Sequence, residues 1–107
     1  MDTELRRSAR VAFVAAAEVL EIDNDVRLRA RTGDLSSHGC YLDMVNPLPV
    51  GTAIRVAITH GERSFDAPAA GIYSQTPLGM GVEFREVPAD HRLILEQWVS
   101  DPERLLA

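Results

Sequence analysis

Lysine is absent from these 107 residues, and all 11 basic side chains are arginines. Arginine offers a planar fork for phosphates and carboxylates and a flat face for bases, although a GC-rich coding sequence would give the same bias. Cysteine is nearly absent too. Cys40 alone can neither close an internal disulfide nor build a cysteine-based zinc cluster within one chain, and it reads as a small buried hydrophobe. Basic charge is in deficit, with a net charge of -5, which argues against broad nucleic-acid binding, DNA or RNA, while leaving room for a small anion. Long apolar runs are missing as well. Glu18, Arg27 and Glu62 interrupt the hydrophobic stretches, so none inserts into a bilayer, and no apolar leader opens the sequence. A cytoplasmic protein is the expectation.

What is present is an ordinary globular composition, 46% hydrophobic and 25% charged, at a length that buries one modest core. Residues 1–10 are polar, carry Arg6, Arg7 and Arg10, and have no apolar face beyond Leu5, so they are expected to form a mobile arm ahead of a domain over 11–107. Val11 to Ile22 mixes Ala, which favours helix, with Val, which favours strand. The turn-like Asp23-Asn24-Asp25 and the alternation Val26-Arg27-Leu28-Arg29-Ala30-Arg31 tip the balance toward a hairpin.

Beyond a polar knot, Thr32 to Gly39, Cys40 to Met44 reads as a short strand, and the prolines of Asn46 to Thr52 exclude regular structure. Further strands are expected at Ala53–Thr59, Ser64–Gln75 and Met80–Glu86, separated by turns at His60-Gly61-Glu62 and Thr76-Pro77-Leu78-Gly79. The period then changes. Pro88 suits a first helical turn, and Ile94, Leu95, Trp98 and Val99 form one apolar stripe, which places Trp98 in the core. Short strands followed by one helix predict a small antiparallel barrel or sandwich with the helix over its open end.

Two constellations could carry function: Arg6-x-x-x-Arg10 on the arm, and Asp34-x-Ser36-x-x-Gly39 between strands. Singly, the first is ordinary solvated charge and the second ordinary turn chemistry. In this order, with Pro47-Leu48-Pro49-Val50-Gly51-Thr52 and Gly79-Met80-Gly81-Val82-Glu83-Phe84 following in register, they resemble the PilZ domain family over nearly the whole chain. That resemblance implies a mainly β fold, a six-stranded antiparallel barrel with a C-terminal helix. It also implies a non-catalytic bacterial receptor for the second messenger cyclic di-GMP, needing no cofactor. The family's ligand-binding residues map onto Arg6, Arg10, Asp34, Ser36 and Gly39, and Arg7 lies between the two motif arginines.

The chemistry is consistent with that implication. A carboxylate such as Asp34 can accept from the guanine Watson–Crick edge, Ser36 can donate or accept, and Gly39 would let backbone approach a base. The arginines suit phosphates, a guanine Hoogsteen edge or stacking. An arm ordered by ligand would pass the signal to a downstream protein. Leu5, where an extra cation could hold a second ligand copy, points to one copy per chain.

Three other readings compete. Asp34, Ser36, Ser37 and His38 supply the residue types of a hydrolytic triad, but neighbours in sequence rarely converge as a triad does. His38 and Cys40 lack two further ligands for a metal. A PilZ-like adaptor that binds protein without nucleotide is the stronger rival, and the intact motifs speak against it.

Overall fold

The computed structural model describes residues 10–100. Among them are seven strands, β1 (Val11–Ala12), β2 (Ala16–Glu21), β3 (Val26–Leu35), β4 (Gly39–Asp43), β5 (Ala53–His60), β6 (Arg63–Gln75) and β7 (Gly79–Phe84), and one helix, α1 (Ala89–Ser100). All pairings are antiparallel. They run β3, β2, β5, β6, β7, β4, and β4 returns to β3, so six strands close a barrel while β1 pairs with the end of β3. The chain therefore has the expected mainly β fold: a six-stranded antiparallel barrel with a C-terminal helix.

Alternation sets the inside. Ala17 and Val19, Cys40 and Leu42, Ile54, Val56 and Ile58, Phe65, Ala67 and Ala69, and Met80, Val82 and Phe84 all face the core, as period-two patterning requires. Two turns follow local chemistry closely. Glu21 pairs with Val26 around a four-residue turn in which Asp25 takes φ 54°. Gly61 takes φ 62° in the two-residue link between His60 and Arg63, a left-handed conformation that glycine adopts without strain.

Helix α1 starts where the Arg92 N–H bonds the Pro88 carbonyl at 2.8 Å. Its Leu95 and Trp98 are fully buried, and Ile94 and Val99 pack at the edge of the core. The Trp98 ring stacks on Phe13 at 5.1 Å and faces His60 at 6.1 Å, which plugs one end of the barrel with the expected core tryptophan. At the other end lie the β2–β3, β4–β5 and β6–β7 connections, where Ile22, Val45, Val50 and Leu78 are exposed. No helix among the described residues is long and apolar enough to cross a membrane.

Three boundaries differ from the sequence reading. Val11 to Ile22 is two strands rather than one, because Thr32 occupies the break. The buried Thr32 hydroxyl donates to the Phe13 carbonyl and accepts from the Ala15 N–H at 2.9 Å, and its own N–H bonds the Ala15 carbonyl at 2.9 Å. For the same reason the polar knot is mostly strand: Thr32 to Leu35 continue β3, and only Ser36 to His38 separate it from β4. The last strand ends at Phe84: the Arg85 N–H still bonds the Pro68 carbonyl of β6 at 2.7 Å, but proline has no N–H to return, and Glu86 takes φ 37°.

Two outcomes follow. Thr32→Val keeps the shape but strands a buried carbonyl and a buried N–H, so urea denaturation should show a loss of roughly 2–3 kcal/mol. Burial, reinforced by Asp34 and opposed by Arg10, pushes the Cys40 thiol above its ordinary range. The folded state then holds the thiol proton more tightly than the unfolded chain. That stabilisation is intact below the unfolded thiol's pKa of about 8.5 and is lost as pH rises beyond it. Denaturation series from pH 7 to 10 should show wild type losing stability faster than Cys40→Ala above that point.

Candidate functional site

The site begins with a change of strand phase. Along β3, Arg31 pairs with Asp43 and Thr32 with Leu42, but the next pair is Asp34 with Tyr41, so Gly33 is an extra residue. A one-residue bulge reverses which side chains face in. Thr32 and Leu35 are thereby both buried, and Asp34 faces outward. Across the β1–β3 pairing, Ala12 sits opposite Asp34, which brings Arg10 alongside. Arg10 Nη1 lies 2.7 Å from Asp34 Oδ1, with both side chains partly in solvent.

The turn that follows is fixed from within. The Ser36 N–H donates to the Gly39 carbonyl at 2.8 Å, and Ser36 Oγ accepts from the N–H groups of His38 at 3.2 Å and Gly39 at 3.1 Å. Ser36 is only 4% exposed, so its hydroxyl serves the turn rather than the surface. Such side-chain bonds to nearby backbone replace the ladder where a strand must reverse. Gly39 has a steric role: a Cβ there would stand 2.1 Å from the Val82 carbonyl, so only glycine lets β4 lie this close to β7. The Phe84 N–H bonds the His38 carbonyl at 2.8 Å, and the outer side of the turn meets α1.

Next to Asp34 the outer face carries a second feature that the motif reading did not single out. Register places Asp34, Tyr41, Gly81 and Tyr73 in one row across β3, β4, β7 and β6. The two tyrosine rings stack at 6.2 Å over Gly81, where a Cβ would come within 2.4 Å of Tyr73. Burial, with Asp43 next in weight, pushes the Tyr41 phenol up, so this ring stays uncharged at neutral pH. The row is visible in sequence only once register is known, because Tyr41 and Tyr73 lie 32 positions apart and on strands that are not neighbours.

Of the residues selected from sequence, the structure brings Arg10 and Asp34 together at the surface and places Ser36 and Gly39 beneath them as the frame of the turn. Arg6 and Arg7 lie outside the described residues, as does the rest of the expected arm over 1–9. The remaining histidines have packing roles. The His60 ring packs tilted against Phe13 with centroids 5.0 Å apart, and His91 Nδ1 accepts the Asp66 N–H at 2.9 Å. Among the described residues no three His, Cys, Asp or Glu side chains gather as a metal site would require.

Comparison with known proteins matches this architecture. The structure superposes on the inhibitor of motility MotI/DgrA of Bacillus subtilis with a TM-score of 0.76 at 18% identity, covering 92% of this chain and 51% of that one. The PilZ domain of CeSA from a cellulose-synthesizing bacterium gives 0.72 at 20% identity, covering 90% and 99%. The PilZ domain of Escherichia coli YcgR, solved with c-di-GMP, gives 0.73 at 19% identity and covers 92% of each chain. The chain thus spans about half of MotI/DgrA and nearly all of the two isolated domains. A comparison with curated protein sequences finds no match. The family model described as PilZ domain matches residues 4–101, and on that match, with the barrel and turn described above, this chain belongs to the PilZ domain family.

Proposed function

We propose that this chain is a non-catalytic receptor that binds cyclic di-GMP on the outer face of β3 and β4, with Arg6, Arg7 and Arg10 on one side and Asp34 on the other. The observation that carries the reading is the exposed Arg10–Asp34 pair, set by the β1–β3 register beside the Tyr41–Tyr73 stack in a PilZ domain. The YcgR domain of the same fold, solved with c-di-GMP, supports the choice of ligand.

The groups suit a dianionic guanine dinucleotide. A surface ion pair is worth only about 0–1 kcal/mol, so Asp34 can exchange its arginine for the N–H donors of a guanine at little cost. Arg10 is then free for a phosphate, where a guanidinium makes strong, directional bonds. The tyrosine stack offers a flat apolar surface for a base. Ser36 and Gly39 contribute by holding the turn, not by touching ligand through their own polar atoms. With Arg6 and Arg7 also on the ligand, residues 1–10 would change their contacts on binding, and that change is what a downstream protein reads. Among the described residues, the one hydroxyl on the motif, Ser36, is committed to the backbone of its own turn.

Isothermal titration should show saturable binding of cyclic di-GMP at one copy per chain and none of GTP or cyclic di-AMP. Arg10→Ala should weaken it by about tenfold or more, the size expected for a lost hydrogen bond to a charged group. Asp34→Ala should relax discrimination against adenine. Absence of binding by wild type, confirmed by a second method, would overturn the receptor reading in favour of a protein-binding adaptor.

A further inference from the structure

The ligand turn is held from two directions. The barrel and the turn itself account for Ser36, His38 and Gly39, through the Ser36 hydroxyl, the Phe84 N–H and the close approach to Val82. Ser37 is fixed otherwise. Its carbonyl accepts from Arg92 Nη1 at 2.7 Å, its hydroxyl donates to Glu96 Oε1 at 3.1 Å, and Arg92 and Glu96 join each other at 3.2 Å one helical turn apart. The carbonyl and the hydroxyl of one turn residue therefore bond the same face of α1, 55 and 59 positions further along the chain.

Nothing in the packing of α1 demands these contacts. The helix is seated by Leu95 and Trp98 in the core, and its outer flanks are tied to β6 by His91 at the Asp66 N–H and by Gln97 at Arg63. Arg92 and Glu96 are 38% and 48% exposed, so as a solvated pair at (i, i+4) they would add little to folding. Their distinctive act is on Ser37. Ser37 follows Asp34 by three residues, in the short turn that joins the end of β3, where the carboxylate stands, to β4.

We propose that Arg92 and Glu96 are positioning residues for the ligand turn, so that affinity for the nucleotide depends on how α1 is seated. This rests on the receptor reading above and goes beyond it, because it connects the motif to an element that carries none of the motif. A coupling of this kind is reciprocal: whatever shifts α1 alters ligand affinity, and ligand alters α1 by the same factor. The helix is thereby a second route, beside the N-terminal residues, by which occupancy can be sensed.

Two measurements on the full chain test this. Amide hydrogen exchange without ligand reports the turn directly: Arg92→Ala should speed exchange at His38 and Gly39 while the β5 and β6 amides keep their protection and the melting temperature holds. Titration with cyclic di-GMP reports the consequence: Arg92→Ala should lose roughly three- to tenfold in affinity, the range of one or two hydrogen bonds. Arg92→Lys should recover part of it. Ser37→Ala and Glu96→Ala each remove the same bond, so their combination should cost no more than the larger single effect. Unchanged exchange in Arg92→Ala, or unchanged affinity where exchange rises, would overturn the positioning role. Failure of wild type to bind would instead strike the receptor reading, and the exchange result would still decide whether α1 holds the turn.

Discussion

The exposed chemistry of this barrel depends on one misstep in the pleat. A strand that alternated without interruption through Thr32 and Leu35 would bury only one of them and would send Asp34 inward with Thr32. The bulge at Gly33 allows both to be buried and turns Asp34 to solvent. The misstep is stable because Thr32 satisfies the backbone of the opposite segment, where the ladder is broken between β1 and β2. A single buried hydroxyl thus settles three matters together: the break in the first strand, the phase of the third, and the juxtaposition of Arg10 with Asp34. Removing a buried group that bonds backbone on both sides is costly for the reason that makes it useful.

Much of the fold was legible because period-two alternation is strong from Ala53 onward. Ile54, Val56 and Ile58 point inward as their spacing implies, and the switch to helical spacing at Ile94, Leu95, Trp98 and Val99 marked α1. The first third was harder to read. Alanines at 15, 16 and 17 serve equally on either face, so spacing alone does not reveal where the strand breaks. Thr32, Gly33 and Asp34 look like a loop because each is a turn-forming residue, and only the partner strands show that they are paired. The site was legible as a pair of motifs, whereas Tyr41 with Tyr73 and Ser37 with α1 depend on register and tertiary approach, which no short pattern encodes.

The structure also separates the motif residues by task. Arg10 and Asp34 present charge, while Ser36 and Gly39 make the turn possible, one by bonding N–H groups and the other by omitting a Cβ. A motif can therefore persist for two unrelated physical reasons within six residues. Substitutions at its supporting positions act on shape, and those at its presenting positions act on electrostatics.

Closure of the sheet has a consequence for association. Each of the six barrel strands has a neighbour on both sides, and among the described residues only β1, two residues long, pairs on one side alone. The neighbours do not run the full length of each strand: Val26–Ala30 of β3 pairs with β2 alone, and there Arg27 and Arg29 put charge along the open stretch, which discourages a foreign strand from extending the sheet.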